Sequence, residues 1–581
     1  MAWKQSAGTG QAWSAWRSAM TVVPRASRWI AAVLLAGTYL CTARAVQSQE
    51  LLENSPRPGQ ILLTPEPAET TSEVLGSAPP APASEPAAAP KPELPFWAKY
   101  PIVTAFPRPG WFLVPPTGPG YYSLMDAIRG NYLEKPPAYP YPRFGLMQFS
   151  FFDADWRYLD RPDNQETDYL DCLKRIHLGD DFLFTTGGEV RFRYSNEIDS
   201  RLLGVNNNYY LNRVRAYGDL WYRDNLRVFA EFLYADSTQE NLLPLLIDET
   251  GADILNLFVD AKLGECGEAP VYLRLGRQEL LYGSQRLVSP LEWANTRRTF
   301  QGVKLFARGE KWDVDLFCVQ PVIPHPQRFD SVDNDQVFTG LWTTYRPKKG
   351  QNIDVYYLNL DQTRRDPVRL ALASGPFNVH TIGARYVGDS HNVLWDVEGA
   401  VQFGERADQS ILANAFTAGV GYNFKDCPMS PQFWVYYDYA SGDPNPGTGN
   451  TYRTFNQLFP FGHYYFGYID VVGRQNIHDI NGQFAIYPTK WLVLGAQLHI
   501  FRLDSPTDAL YNAAGIPIRR DRTGQAGSSV GEEIDIFANL HIDKHQDVYL
   551  SYSHLYAGDF IRKTGNALSP SYLFIQYSYR W

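Results

Sequence analysis

From about residue 182 onward the chain alternates apolar and polar residues with a period of two. Val214, Ala216, Gly218, Leu220 and Tyr222 are interleaved with Arg213, Arg215, Tyr217, Asp219 and Trp221. Val190, Phe192 and Tyr194 alternate with Arg191 and Arg193. Further on, Ile534, Ile536, Ala538, Leu540 and Ile542 alternate with Asp535, Phe537, Asn539 and His541. Successive strand residues point to opposite faces, so each run carries one apolar and one polar face. The runs span about 9–13 residues, longer than a soluble sandwich needs and right for a tilted membrane strand.

About eighteen such strands are predicted: 182–196, 209–223, 226–237, 253–264, 271–280, 300–308, 312–320, 337–346, 352–360, 377–388, 391–404, 411–425, 431–441, 477–487, 491–503, 531–543, 546–557 and 571–581. Their connections alternate in length. "DN", "GEK", "PKKG", "DS", "PTK" and "DKHQ" are tight turns, while long loops fall around 238–252, 281–299, 321–336, 361–376, 442–476, 504–530 and 558–570. Only the 405–410 connection is shorter than this scheme asks. An even strand count, short turns at one end and long loops at the other describe an outer-membrane barrel with periplasmic turns and external loops. The fold class expected is therefore all-β, a transmembrane antiparallel β-barrel. In the last run Leu573, Ile575, Tyr577, Tyr579 and Trp581 form the lipid face, with the final aromatics in the interfacial girdle.

Composition agrees. Aromatics reach 14% while charged residues hold at 20%, which suits a structure apolar on one face only. No apolar run in the body approaches the ~20 residues of a spanning helix. The N-terminus differs: Arg25 and Arg28 precede an apolar stretch from Trp29 to Leu40, then Ala43-Arg44-Ala45. Residues 1–45 read as a secretory signal. Residues 46–120 are Pro/Ala-rich and read as a disordered linker. Residues 121–181 form a periplasmic lead-in, with a helical turn near Leu170–Ile176, and 182–581 the barrel. The net charge is −9, and the signal removes five basic residues and no acidic one, so the exported chain is more acidic still. That argues against nucleic acid as a partner. A disulfide among Cys172, Cys266 and Cys427 is compatible with an oxidising periplasm, whereas Cys318 falls on the lipid phase.

Eighteen strands enclose an aqueous lumen, so the inward positions are the functional surface. They include Arg191, Arg193, Arg213, Arg215, Arg274, Lys304 and Arg308, and the loop after the fifth strand adds Arg286, Arg297 and Arg298. Over 271–311, eight basic side chains face only Glu279, Glu292 and Glu310. Such a belt would guide anions and repel cations, with guanidinium groups suited to carboxylates. The alternative is cross-strand pairing, for which Asp219, Glu231 and Asp260 are available. No phosphate loop or zinc spacing appears, and "GDPNPGTGN" (442–450) is only a faint calcium candidate, so no cofactor or metal is expected. An enzyme would have to use His499 and His541 with Asp535, which fit a wet lumen lining better.

The block "YLRLGRQELLYGSQRLVSPLEWANTRRTFQGVKL" (271–305) resembles the alginate export family of outer-membrane β-barrels, as does "DWRYLDRPDNQETDYLDCLKRIHLG" with "TTGGEVRFRY" before it. Gly276, Arg277 and Gln278 match its strand-end motif, Gly283, Ser284 and Arg286 its turn, and Trp293, Asn295, Thr296, Arg297 and Arg298 the following loop. Arg277 falls on the lipid phase, so a bulge or interface position is expected beside it. The resemblance implies an arginine-lined, anion-selective pore for export of an acidic polysaccharide, with outer-membrane lipid, the outer-membrane assembly machinery and periplasmic export components as partners. The alternative function is a general anion-selective porin for uptake of small solutes.

Overall fold

The structure, a computed structural model, describes residues 123–130, 150–154, 156–160, 168–348, 350–363, 376–424 and 426–581. The expected signal and linker, 1–120, lie outside the described residues. The chain divides into two units. In the first, 1–94 with 166–173, the described part makes a 3-10 turn over Asp171–Leu173. The second, 95–165 with 174–581, holds the barrel.

Eighteen long strands build its wall. The first six are β1 (Phe182–Ile198), β2 (Asn207–Tyr222), β3 (Leu226–Thr238), β4 (Thr250–Cys266), β5 (Ala269–Gln278) and β6 (Phe300–Arg308). They are followed by β7 (Trp312–Ile323), β8 (Gln336–Tyr345), β9 (Gln351–Gln362), β10 (Phe377–Ser390), β11 (Val393–Arg406) and β12 (Gln409–Asn423). The last six are β13 (Gln432–Ala440), β14 (Ile477–Thr489), β15 (Leu492–Arg502), β16 (Ser529–His541), β17 (Gln546–Ala557) and β18 (Ser571–Arg580). Each pairs antiparallel with its sequence neighbours. β18 returns to β1, from Glu189 opposite Arg580 to Ile198 opposite Ser571, and the barrel closes with no free edge. A short strand, Ile176–Leu178, pairs with the start of β1.

Period-two alternation sets which face meets lipid. Phe192, Leu275, Leu316, Val355, Ile382, Val401, Val420, Ile480, Leu498, Ile536 and Ile575 are exposed on the outer surface. An apolar surface this continuous has to be covered by lipid. On β18, Tyr572, Phe574, Gln576, Ser578 and Arg580 are buried inside, so Leu573, Ile575, Tyr577 and Tyr579 take the outer phase as the alternation requires.

Long loops follow odd-numbered strands, with one exception: β11 and β12 are joined through residues 407–408 alone. The β1–β2 connection, 199–206, is a further loop at the same end, in the gap that the expected strands 182–196 and 209–223 left between them. Beside Arg277, Gly276 adopts φ +131, and a Cβ there would lie 2.2 Å from the Leu257 carbonyl oxygen of β4. Only glycine allows that approach. The resulting kink turns Arg277 onto Ile254 O (2.9 Å) and Asp330 O (3.3 Å) instead of into lipid.

The disulfide expectation is corrected for two of its cysteines: Cys266 and Cys427 are free thiols. Cys266 ends β4 and Cys427 lies between β12 and β13, eight strands round the wall. That is far beyond the ~4.4–6.8 Å Cα separation a disulfide needs. Cys318 is exposed on the outer face.

Candidate functional site

Inward positions of β1 and β2 place arginines side by side. Arg191 is paired in register with Arg213, and Glu189 with Arg215. Like charges opposite one another on a sheet destabilise it unless anions intervene. Glu189 accepts from Arg213 Nε (2.9 Å) and from Arg580 Nε (3.0 Å), and Glu231 accepts from Arg215 Nε (2.7 Å).

The remaining anion comes from the β5–β6 loop, 279–299, which folds into the bore. The Glu292 carboxylate lies 2.5 Å from Arg213 Nη2, 3.5 Å from Arg191 Nη1 and 3.9 Å from Arg215 Nη1, and it also pairs with Arg297. One carboxylate thus serves four guanidinium groups. The loop backbone adds acceptors: Glu292 O for Arg191 (2.9 Å), Trp293 O for Arg193 (2.9 Å) and Ala294 O for Arg213 (3.1 Å). The Trp293 ring is sandwiched between the Arg193 guanidinium, 3.5 Å from its centroid, and the His463 ring at 3.6 Å. Stacking of this kind adds cation–π attraction to the charge pairing.

The same loop reaches the opposite wall. Arg286 binds Asp396 (2.6 Å) and Glu398 (2.9 Å) on β11, nine strands from β2 in a ring of eighteen. Arg385 of β10 shares Asp396 at 2.8 Å. The loop therefore spans the bore. The β13–β14 loop, 441–476, lies across it: Phe459 N donates to Leu287 O (2.9 Å) and Phe461 N to Gln285 O (2.9 Å). Phe455, Phe461, Tyr464, Tyr465, Phe466 and Tyr468 pack there in one buried cluster with Leu287, Val288 and Trp293. Its far side is held by β16, where Glu533 Oε1 accepts from Ile469 N (3.0 Å) and Asp535 Oδ1 from Tyr468 N (3.4 Å).

The other expected site residues sit lower or at the loop's edge. Arg274 makes a bidentate pair with Asp260 (2.6 and 2.8 Å). Lys304 and Arg308 share Asp315, at 3.3 and 2.7 Å. Arg298 donates to Ser289 O (3.3 Å) and Pro460 O (3.1 Å). Of the carboxylates available for cross-strand pairing, Glu231 takes Arg215, Asp260 takes Arg274 and Asp219 takes Arg227. Arg191, Arg213, Arg215 and Arg297 thus converge on Glu292, with Arg193 beside them, while Arg274, Lys304 and Arg308 form a separate group toward the periplasmic turns.

That lower group has a neighbour that sequence reasoning left unassigned. Phe151 and Phe152 of the lead-in enter the bore, where Phe152 O accepts from Arg227 Nη2 (2.7 Å). The Arg215 guanidinium lies 3.9 Å from the Phe151 ring centroid. The return of aromatics in "FSFFDADW" was the available signal. Asp396 and Glu398 were legible as the polar phase of β11, but nothing tied them to Arg286 until the loop was placed. His499 is buried between Asp479 (2.8 Å) and Asp535 (3.8 Å), in the region that secures the β13–β14 loop. In the calcium candidate, Asp443 Oδ1 accepts from Asn445 N (2.9 Å) within its own turn.

The β3–β4 loop, 239–249, backs the cage from outside: Asn295 N donates to Ile247 O (2.8 Å) and Asn295 Nδ2 to Asp248 O (3.0 Å). Burial, reinforced by Glu240, pushes the Asp248 carboxyl up from 3.8 to about 7. The packed loop therefore favours the protonated acid. Its stabilisation is full below about pH 4, falls as pH rises, and is gone above about pH 7. Limited proteolysis within 239–249 is expected to be faster at pH 8 than at pH 5, with Asp248→Asn removing the difference; equal rates in the parent protein would refute this.

The family model for alginate export matches residues 182–574. Among solved structures, OpdO of Pseudomonas aeruginosa is similar at 12% identity and TM-score 0.46, covering 68% of this chain and 97% of that one. OccAB2 of Acinetobacter baumannii is similar at 10% identity and TM-score 0.47, covering 68% and 98%. No curated protein matches the chain. The family match runs from the first residue of β1 into β18, and the chain, an outer-membrane β-barrel, belongs to the alginate export family.

Proposed function

We propose that the barrel is a pore through which an anionic, alginate-like polysaccharide leaves the periplasm, guided by the guanidinium groups of its bore. The observation that carries this reading is Glu292: a carboxylate of the chain itself occupies the place that a carboxylate of the polymer would take. Buried guanidinium groups left without an anion would be costly, whereas exchanging one carboxylate for another keeps each of them paired throughout. Successive acidic units could then displace one another along Arg191, Arg193, Arg213, Arg215, Arg297 and Arg298, with Arg274, Lys304 and Arg308 on the periplasmic approach and Arg286 at the far end of the loop. No chemical step is asked of the protein. A periplasmic export component would meet the end carrying the short turns.

Uptake of small anions is the second reading. It is favoured by the crossing of the two loops, which leaves a cavity of about 420 Å³ beside Arg193, Trp293 and Arg298. The purified barrel in a planar bilayer under a salt gradient is expected to prefer anions, and Arg297→Ala with Arg298→Ala to weaken that preference. Cation selectivity would remove both readings. Block by long polyuronate chains, absent with the monosaccharide, favours export; permeation by the monosaccharide without block by the polymer favours uptake.

A further inference from the structure

Arg406, the last residue of β11, stands apart from the other arginines of the bore. It is 8% exposed, yet its Nε has no hydrogen-bond partner and no acceptor meets its terminal nitrogens among the described residues. Among the described residues it stacks on the Tyr452 ring, whose centroid lies 4.0 Å from the guanidinium carbon. Every basic residue of the cage is bonded to carboxylates, carbonyls or amides of the chain; among the described residues this cation is held by stacking and burial, with no hydrogen bond from its guanidinium. A buried donor left unmade is costly, and an acceptor supplied by a ligand would relieve that cost.

Arg406 lines a cavity of about 220 Å³ at the loop end of the barrel. Its walls include Gln336 at the start of β8, Gln362 at the end of β9, Phe377 at the start of β10, and Tyr452 and Asn456 from the β13–β14 loop. Gln336 Nε2 donates to Gln362 Oε1 (2.9 Å), which leaves Gln336 Oε1 and Gln362 Nε2 as a ready acceptor and donor. Asn456 Oδ1 accepts from Leu458 N (2.9 Å), which leaves its Nδ2 to donate. The volume is below the ~300–1,000 Å³ of drug-sized sites and fits one sugar ring.

We propose that this cavity is a binding site for a single carboxylated sugar unit, a hexuronate, with Arg406 holding the carboxylate and the amides the ring hydroxyls. A planar guanidinium with both terminal nitrogens open matches a carboxylate in bidentate geometry. Amides that both donate and accept match hydroxyls, and the Phe377 ring offers an apolar face. The site lies at the external mouth, separate from the Glu292 cage, and binding there requires no passage through the bore.

Isothermal titration of the full-length protein in detergent with glucuronate, glucose and a uronate trisaccharide tests this. Glucuronate is expected to bind, glucose not, and Arg406→Gln to weaken glucuronate roughly tenfold or more, the loss of a charge-assisted pair. A trisaccharide that binds more tightly than the monosaccharide identifies the ligand as a unit of a polymer; equal affinity identifies free sugar. Retained heat-modifiability on electrophoresis establishes that the variant is a folded barrel. Should that variant not fold, the comparison of sugars in the parent protein still decides. Glucose binding as tightly as glucuronate, glucuronate binding equally to the parent and to a folded Arg406→Gln, or no glucuronate binding at all would each overturn the proposal. A barrel that prefers anions in the bilayer but binds no glucuronate loses this site alone, and one that binds glucuronate but prefers cations loses the pore reading alone.

Discussion

Glu292→Gln is expected to make the channel more anion-selective and more readily blocked by polyuronate than the parent. The substitution removes one negative charge from among Arg191, Arg213, Arg215 and Arg297 while keeping the side chain's size. Removing one partner of a buried ion pair costs about 3–5 kcal/mol, because the other charge stays behind unpaired. Two responses can relieve it: the loop can leave the wall and let water in, or a solution anion can take the vacated place. Both raise the affinity of the bore for anions. The loop stays tethered to the far wall through Arg286 with Asp396 and Glu398, so it loosens at one end without unfolding. A shift of the reversal potential toward the anion limit is expected, with half-block by polyuronate at roughly tenfold lower concentration, the equivalent of about 1.4 kcal/mol. Glu231→Gln is the comparison, since that carboxylate is bonded to Arg215 (2.7 Å) from the strand wall and not from the loop; its effect on block should be smaller. Unchanged selectivity and block in Glu292→Gln would mean that the cage only braces the wall and has no part in anion recognition.

The wall of this barrel is legible because a strand repeats every two residues and lipid tolerates no error in the outer phase. Phe192, Val214, Ile382, Val401 and Ile575 could hardly be placed anywhere but outside, and once they are, Arg191, Arg213 and Arg215 must point inward. Loops carry no such period. Nothing in "SQRLVSPLEWANTRR" states that the segment crosses a bore to Asp396, and nothing in "LFPFGHYYFGY" states that its aromatics pack on Leu287 and Val288. Glu292 illustrates the gap. In the sequence it is one of three charges opposing a basic block; in the fold it is the hub of that block, because the chain between Gln278 and Phe300 turns inward. Arg385 and Arg406 escape sequence reasoning for a different reason. Each stands alone in its segment, and only the closed wall and the inward loop give it neighbours. The kink at Gly276 was signalled by Arg277 on the wrong phase, a local conflict between pattern and charge that the backbone resolves.

Shortening the β13–β14 loop is expected to give the largest change in conductance. Its ends are already adjacent: Ala440 pairs with Ile477, and Asn476 N donates to Ser441 O at 3.3 Å. Replacing residues 442–475 by two glycines therefore closes an ordinary hairpin without moving either strand. The eighteen long strands keep their pairing with one another, the structure that must persist in lipid, and of the wall's pairings only the short parallel one of Thr451 and Tyr452 with Ser410 and Ile411 of β12 is lost. What disappears is the cluster of Phe455, Phe461, Tyr464, Tyr465, Phe466 and Tyr468 in the bore, together with the amides held by Glu533 and Asp535. The β5–β6 loop loses the hydrogen bonds at Leu287 O and Gln285 O but keeps its ion pairs at both walls. An eighteen-stranded barrel without its filling has the bore of a general porin, so single-channel conductance should rise several-fold. Anion preference should fall at the same time, because ions passing more than a Debye length of about 8–10 Å from the guanidinium groups no longer sense them. The two changes must occur together in a heat-modifiable, folded protein. Conductance that stays at the parent value would show that current already passes freely beside the loop, and that the aromatic cluster seals nothing.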